Sequence, residues 1–285
     1  MEVTYWFLFP ISIVIAWLAN GAGIGGATFF SPLFILALGL EPNVAIGAAL
    51  VTEVFGFASG VTAHARARTI DWKVAQLLTA VAVPAAIVGS ITAGLIDANV
   101  LKAVLGFGLL VIAVAFIRHR DNHEADAAIA RGDGVVQPAV ERRLVTRDGE
   151  VLEYRLCRRH EGRWFAGVGG LFVGLISTGL GELNSYALVM RCRIPTRVTV
   201  ATSVVVVAVT ALAASVTHLV SFVTEGGSDI STVASVVIFT VPGVIIGGQF
   251  GPLVAQRVRG ETLIRSLGWL FLVVAGLTLA EVVAG

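Results

Sequence analysis

Charge is what this chain lacks. Only 14% of its 285 residues are Asp, Glu, Lys or Arg, whereas 56% are hydrophobic. A soluble protein of that length needs a larger charged surface, so a water-soluble globular fold is excluded at the outset. Cysteine is nearly absent too. Cys157 and Cys192 show no metal or redox spacing, and both fall on segments assigned below to the cytoplasm, so no disulfide is expected. There is no phosphate loop of the form GxxxxGK[ST], no metal-ligand spacing and no nucleophile–His–acid pattern. These absences argue against an enzyme and against a primary pump. They give no reason to expect a metal, a cofactor or nucleic acid, and they fix no oligomeric state. A basic stretch before residues 5–18 and a small-residue cleavage site after them are also missing, so this run reads as a mature helix rather than a signal peptide.

What is present is a series of long apolar runs: residues 4–19, 27–40, 44–63, 72–96 and 100–117, then 164–176, 185–190, 198–223, 230–255 and 263–283. Several reach the roughly 20 residues that span a bilayer. Runs 27–40 and 185–190 are too short to span and suit half-helices or arms of a re-entrant hairpin. Each short run follows a glycine break: Asn20-Gly-Ala-Gly-Ile-Gly-Gly26 in the first half and Ser177-Thr-Gly-Leu-Gly-Glu-Leu-Asn184 in the second. Glycine and polar residues at membrane depth are costly unless the freed backbone lines a protected cavity. Such a break, repeated at corresponding places in two halves, points to the binding site of a carrier.

The halves match elsewhere in the same order. Pro42-Asn-Val-Ala matches Pro195-Thr-Arg-Val, Ser59-Gly-Val-Thr-Ala-His64 matches Ser215-Val-Thr-His218, and Pro84-Ala-Ala-Ile-Val-Gly89 matches Pro242-Gly-Val-Ile-Ile-Gly247. An internal duplication of two transmembrane units, 1–117 and 164–285, separated by a linker at 118–163, accounts for all of them.

Lys and Arg then orient the units. Arg66, Arg68 and Lys73, the trio Arg191, Arg193 and Arg197, the trio Arg257, Arg259 and Arg265, and ten residues of the linker can all be cytoplasmic, leaving only Lys102 outside. The loop after the third run is then inside and its repeat partner, 225–229, is outside. The Pro42 loop is outside and the Pro195 loop inside. The expected fold is therefore an all-α polytopic membrane protein of two inverted repeats, each a glycine-broken helical hairpin plus three transmembrane helices. Both termini are placed on the non-cytoplasmic side. Within the linker, apolar and polar residues alternate around Asp148-Gly149, a two-residue β-hairpin signal, and 118–138 has few apolar residues. A solvated connector is the simpler reading of the linker, and a regulatory or docking element the sharper one.

Gly23-Ile-Gly-Gly26, the following Pro32-Leu, Pro42, the basic loop ending Asp71-Trp72, and Pro84 with Gly89 resemble the TauE/SafE family of membrane proteins. The Pro195 loop with Ala201-Thr-Ser203, and Pro242-Gly-Val-Ile-Ile-Gly-Gly248, resemble its second-half pattern. The likeness covers nearly the whole chain outside the linker. It implies secondary transport of small anions such as sulfite, sulfonates or related carboxylates. The chain departs from the family in carrying Ala48-Ala49 where Thr-Ser is frequent and Glu182 in its second break.

The candidate substrate site is built from the backbone amides around Gly25-Gly26 and Leu183-Asn184, because half-helix N-termini attract anions. With them stand Asn20, Gly23, Ser177, Thr178 and Gly181. Glycines that only permit close helix crossing are the plainer account, but crossing alone does not explain the polar neighbours. Glu53 and Glu182 are ionisable groups at membrane depth, which cost several kcal/mol and so mark functional positions. They are candidates for coupling transport to protons or another cation, or they are plain hydrogen-bonded polar groups. His64, His218, Thr202, Ser203 and Gln249 are candidates for gating or lining a cavity, with interfacial anchoring the simpler role for the histidines. Pro84 and Pro242 are expected to kink their helices. Partners implied are the lipid bilayer, a small anionic substrate and a coupling proton or cation. Two other functions stay open: a cation or metal carrier using the two carboxylates, and a membrane scaffold or sensor acting through the linker.

Overall fold

The structure is a computed structural model that describes residues 5–22, 24–118, 141–155, 159–192, 194–224, 228–250 and 260–284. Over its described residues, every apolar run is largely helical. The first half forms α1 (Leu8–Ala22), α2 (Ala27–Leu38), α3 (Pro42–Ala67), α4 (Trp72–Ala93) and α5 (Ala98–Ile117). A hairpin of β1 (Glu141–Val145) and β2 (Val151–Arg155) follows. The second half forms α6 (Arg159–Ile176), α7 (Leu180–Tyr186) with a π-turn at Ala187–Arg191, α8 (Thr196–Thr224), α9 (Ser228–Gln249) and α10 (Gly260–Ala284). Helices α3, α4, α5, α8 and α9 are long and apolar enough to cross a bilayer. The 12 residues of α2 reach only about 18 Å, little more than half of the hydrocarbon core. The chain is an all-α polytopic membrane protein.

Helix boundaries follow local chemistry. Pro42 opens α3 at a position where no N–H is needed, and Asp71 caps α4 by accepting from the N–H groups of Lys73 and Val74 at 3.0 and 3.1 Å. Gly39, at φ 67°, ends α2 in the left-handed conformation that glycine adopts without steric cost. Pro84 and Pro242 both lie inside helices that continue past them.

Helices α3 and α8 form the centre. Their spans are 72% and 78% buried, against 28–39% for α4, α5 and α9, which present apolar faces outward. The two halves exchange partners around this centre: α4 packs on α6 and α8, α9 packs on α1 and α3, and α5 pairs with α10. Small residues make the crossings close. A side chain on Gly89 would run into the Leu171 carbonyl, one on Gly174 into the Ala86 carbonyl, and one on Gly247 into the Ile13 carbonyl. Backbones at that separation gain dispersion contacts that lipid cannot supply. All five tryptophans (Trp6, Trp17, Trp72, Trp164 and Trp269) are exposed, and Trp6, Trp72 and Trp164 lie near helix starts, where interfacial aromatics anchor a membrane protein.

The inversion of the halves is visible at the hairpin. Its turn reaches the C-terminal end of α3 through Arg147 N–H to the Ala67 carbonyl, at 3.0 Å. The same turn reaches the N-terminal end of α8 through Arg197, which donates to Glu150 at 2.7 Å and to Asp148 at 3.2 Å. Repeat-equivalent helices α3 and α8 therefore present opposite ends to one face.

Three expectations change. The hairpin turn is longer than two residues. Strand pairing ends at Val145↔Val151, the Thr146 N–H donates to the Glu150 carbonyl, and Gly149 takes φ 83°. That left-handed glycine closes a longer loop, which the Asp-Gly pair serves equally well. The hairpin part of the linker is docked rather than merely solvated, since Tyr154 is buried and its hydroxyl donates to Asp71 at 2.7 Å. Burial and the neighbouring Asp71 carboxylate push the Tyr154 phenol well above the usual tyrosine range. Cys192 is disulfide-bonded, whereas its expected placement in the cytoplasm led to the opposite expectation. The other cysteine, Cys157, lies outside the described residues, as do residues 119–140 of the linker.

Candidate functional site

Both breaks interrupt a helix, and the second folds the chain back so that α7 packs on α6. In the first, α1 ends at Ala22 and α2 begins at Ala27, with Gly26 close to the Ala19 side chain. In the second, Ser177 and Gly179 take φ 59° and 105°, and the start of α7 packs against Gly169 and Phe172 of α6. A non-glycine residue in the left-handed region costs about 1 kcal/mol or more and persists only where its surroundings hold it. Ser177 is held from two sides: its hydroxyl is bonded to Ser31 of α2 and to the Ile176 carbonyl.

The two breaks meet in the buried interior. Thr28, in the first turn of α2, has its hydroxyl 2.6 Å from that of Thr178 and donates to Glu182 Oε1 at 3.0 Å. Glu182 Oε2 accepts from the Gly179 N–H at 3.1 Å, the return half of a capping box on α7. Glu53, reaching in from the middle of α3, accepts at Oε1 from the Ala27 N–H at 3.1 Å and so caps α2 from a neighbouring helix. Each buried carboxylate thus sits at the positive N-terminal end of a half-helix, where helix dipole and open N–H groups favour negative charge. Glu53 Oε2 has no hydrogen-bond partner among the described residues. A small cavity beside it is lined by Ala16, Ala19 and Asn20 of α1, Gly26, Phe30, Gly56, Phe57 and Val244.

The geometry shows where the helix-terminal amides of the two breaks are spent. The Leu183 N–H is spent on the Gly179 carbonyl because α7 starts three residues earlier than the motif suggested. The Ala27 amide, beside Gly25 and Gly26, is already occupied by a protein carboxylate.

The other candidates divide. Asn20 donates to the Ala16 carbonyl at 3.0 Å and packs directly over Gly60 of α3. Gly181 is buried in α7, and Asn184 is 1% exposed with neither side-chain atom bonded among the described residues. Ser203 is fully buried on α8, its hydroxyl likewise without a partner there. Gly23 lies outside the described residues. Three of the remaining four residues lie away from the breaks. Thr202 accepts from the Asp71 N–H at 3.1 Å and ties down the α3–α4 loop. Gln249 donates to Ser59 and Thr62 and fastens the end of α9 to α3. His218 donates from Nε2 to the Gly174 carbonyl at 3.0 Å, whereas His64 lies between Thr69 and the Asn20 backbone at the first break. Both histidines are 3% exposed, which does not suit interfacial anchoring. Thr28 and Ser31 join the breaks only through the fold. Their signal was two hydroxyls one turn apart on an otherwise apolar half-helix.

Residues 8–279 match the model of the family described as sulfite exporter TauE/SafE. The chain is 26% identical to the probable membrane transporter protein YjnA of Bacillus subtilis (strain 168), over 87% of this chain and 92% of that protein. To the probable membrane transporter protein YunE of the same organism it is 22% identical, over 92% of each. The probable membrane transporter protein ORF9 of Sinorhizobium sp is 28% identical over 39% of this chain and 41% of its own length. No solved structure gives a significant match. The chain belongs to the sulfite exporter TauE/SafE family and is a multi-pass membrane transporter.

Proposed function

We propose that this TauE/SafE member is a secondary carrier that exports small anions, namely sulfite, organosulfonates or related carboxylates. The observation that carries the reading is the meeting of two broken helices at membrane depth, with Glu53 and Glu182 standing on the helix-terminal groups an anion would seek. A scaffold has no need of interrupted helices, whereas a carrier must open and close around such a point. Export follows the family's description. The substrate site draws on the first break with Asn20, Gly25 and Gly26 and on the second with Ser177, Thr178, Gly181 and Asn184.

The carboxylates supply the coupling. An anion beside a fixed negative charge in a medium of low dielectric is strongly disfavoured, so a carboxyl must gain a proton as the anion arrives. Neutralised Glu53 no longer competes for the Ala27 N–H, and the anion can take it. A proton thereby accompanies each anion. In the bilayer the basic loops and the hairpin face the cytoplasm and both termini face outward, in keeping with the positive-inside rule.

Flux into proteoliposomes tests the reading. Radiolabelled sulfite and a small sulfonate should be taken up faster than into protein-free vesicles, and a proton gradient should drive accumulation. Flux of a divalent cation without anion flux would favour the cation-carrier reading, and no flux of any of the three would favour a scaffold.

A further inference from the structure

We propose that Thr28 joins Glu53 and Glu182 into one proton-sharing unit, with Gly25 a glycine because the path crosses it. The inference uses the carrier reading for its transport readout only. A hydroxyl owns one proton, which fixes the polarity of the chain of bonds. When Glu182 is ionised, Thr28 donates to Glu182 Oε1 at 3.0 Å, so Thr178 must donate to Thr28 across their 2.6 Å contact. When Glu182 carries a proton on Oε1 the chain reverses: Glu182 donates to Thr28, and Thr28 donates to Thr178. In both states Glu182 and Thr28 keep their shared hydrogen bond, so a proton can move along it in either direction.

Gly25 brings the other carboxylate to this chain. The first carbon of a side chain at position 25 would lie 3.1 Å from Glu53 Oε1 and 3.2 Å from Thr28 Oγ1. Glu53 Oε1 and Thr28 Oγ1 thus both border the space that glycine leaves open, where a bridging water would reach both oxygens. The step balances. A proton leaves the Glu53 carboxyl and bonds to Thr28 Oγ1 as the original Thr28 proton moves to Glu182 Oε1. Thr28 ends as a neutral hydroxyl, Glu53 as a carboxylate on the Ala27 N–H, and Glu182 as the acid. The pair keeps its total charge while the proton passes from the first break to the second.

Few other charges intervene. Among the described residues, the remaining buried titratable groups on the helices packed around this pair are His64 on α3 and His218 on α8. His64 lies eleven residues along α3 from Glu53, about 16 Å away. Arg197 and Asp229 stand in the first turns of α8 and α9, Lys102 in the second turn of α5, His160, Glu161 and Arg163 near the start of α6, and Arg66 in the last turn of α3.

Infrared titration of the purified protein in lipid tests the link directly, with Glu53→Gln and Glu182→Gln assigning the two protonated-carboxyl bands. Thr28→Val should shift the pH dependence of both bands, including that of Glu53, to which Thr28 is not bonded. Thr28→Ser should restore the wild-type pattern, and Gly25→Ala should disconnect the bands with Thr28 intact. A Glu53 band that titrates as in the wild type in Thr28→Val and Gly25→Ala overturns the proposal, whatever Glu182 does. In proteoliposomes Thr28→Val should lose uptake of labelled sulfite driven by a proton gradient while keeping exchange of labelled for unlabelled sulfite. Gradient-driven uptake that survives in Thr28→Val also overturns it. If the wild type moves no sulfite, the carrier reading falls alone and the infrared result still decides.

Discussion

Replacing Glu53 with glutamine separates coupling from architecture. Glutamine keeps an oxygen where Oε1 accepts from the Ala27 N–H, so the cap on α2 survives in neutral form. A hydrogen bond to a charged group contributes about 1.5–3 kcal/mol and a neutral one about 0.5–1.5, so this exchange costs about 1 kcal/mol. The amide nitrogen falls where Oε2 now has no partner among the described residues, and an unsatisfied buried donor adds about 1–3 kcal/mol. A loss of about 2–4 kcal/mol leaves a folded protein if its stability lies in the ordinary range of roughly 5–15 kcal/mol. The titratable proton, by contrast, is removed outright. Purified Glu53→Gln in proteoliposomes should therefore still exchange labelled for unlabelled sulfite, yet fail to accumulate it when a proton gradient is imposed. Its repeat counterpart lies near Val206, which carries no carboxyl, so the symmetry of folding does not require Glu53. Glu182→Gln is the matched control: it alters the α7 cap and the Thr28 bond together, and substrate affinity should fall as well. Gradient-driven accumulation at the wild-type rate in Glu53→Gln would refute the coupling argument. A Glu53→Leu variant of normal stability and flux would reduce the residue to a polar filler.

The remaining expectations concern topology, packing and the hairpin. Cysteines introduced in the 225–229 loop should react with an impermeant reagent in intact cells, and those at Arg66 or Arg68 only after permeabilisation; labelling of both from one side would sink the inverted arrangement. Gly174→Leu should prevent recovery of folded protein, because its first carbon already collides with the Ala86 carbonyl, whereas Gly276→Ala, with nothing within 4 Å, should express normally. Equal yields of the two would show that the α4–α6 crossing is looser than described. In the hairpin, Arg197→Ala should cost less than about 1 kcal/mol per pair, since the side chains of Asp148 and Glu150 are 70% and 53% exposed. Tyr154→Phe removes a buried bond to a carboxylate and should cost more, about 1.5–3 kcal/mol; a reversed order in thermal unfolding would overturn the assignment of Tyr154 as the main anchor. The folded-state shift of Tyr154 is upward, so it adds stability that is full below the ordinary tyrosine range near pH 10 and fades only as pH rises through the higher folded value. Absorbance titration should find one late tyrosine that Asp71→Asn brings back toward normal.

Periodicity, composition and charge determined a great deal. Runs of apolar residues commit the backbone to helices wherever water is absent, because only an internal hydrogen-bond ladder satisfies the peptide groups in lipid. The positions of α1 to α10, the two breaks, the duplication and the opposed halves all follow from that rule and from the placement of Lys and Arg. The family was legible in the order of weak motifs around Gly26, Pro84 and Pro242. Which groups meet was not legible. Thr28 and Glu182 are 154 residues apart and Glu53 caps a helix 26 positions before it, and no local pattern encodes a contact between separate elements. The Leu183 amide that looked free in the motif goes to the Gly179 carbonyl within α7, and Glu53 and Glu182 take the Ala27 and Gly179 amides at the two helix starts, because a buried helix terminus recruits whatever acceptor the fold brings within reach. The docking of the hairpin on Asp71 and Arg197 belongs to the same class of fact. Sequence set the elements and their order, while tertiary structure decided the partners, since hydrogen bonds between helices depend on side-chain positions that exist only after the helices have packed.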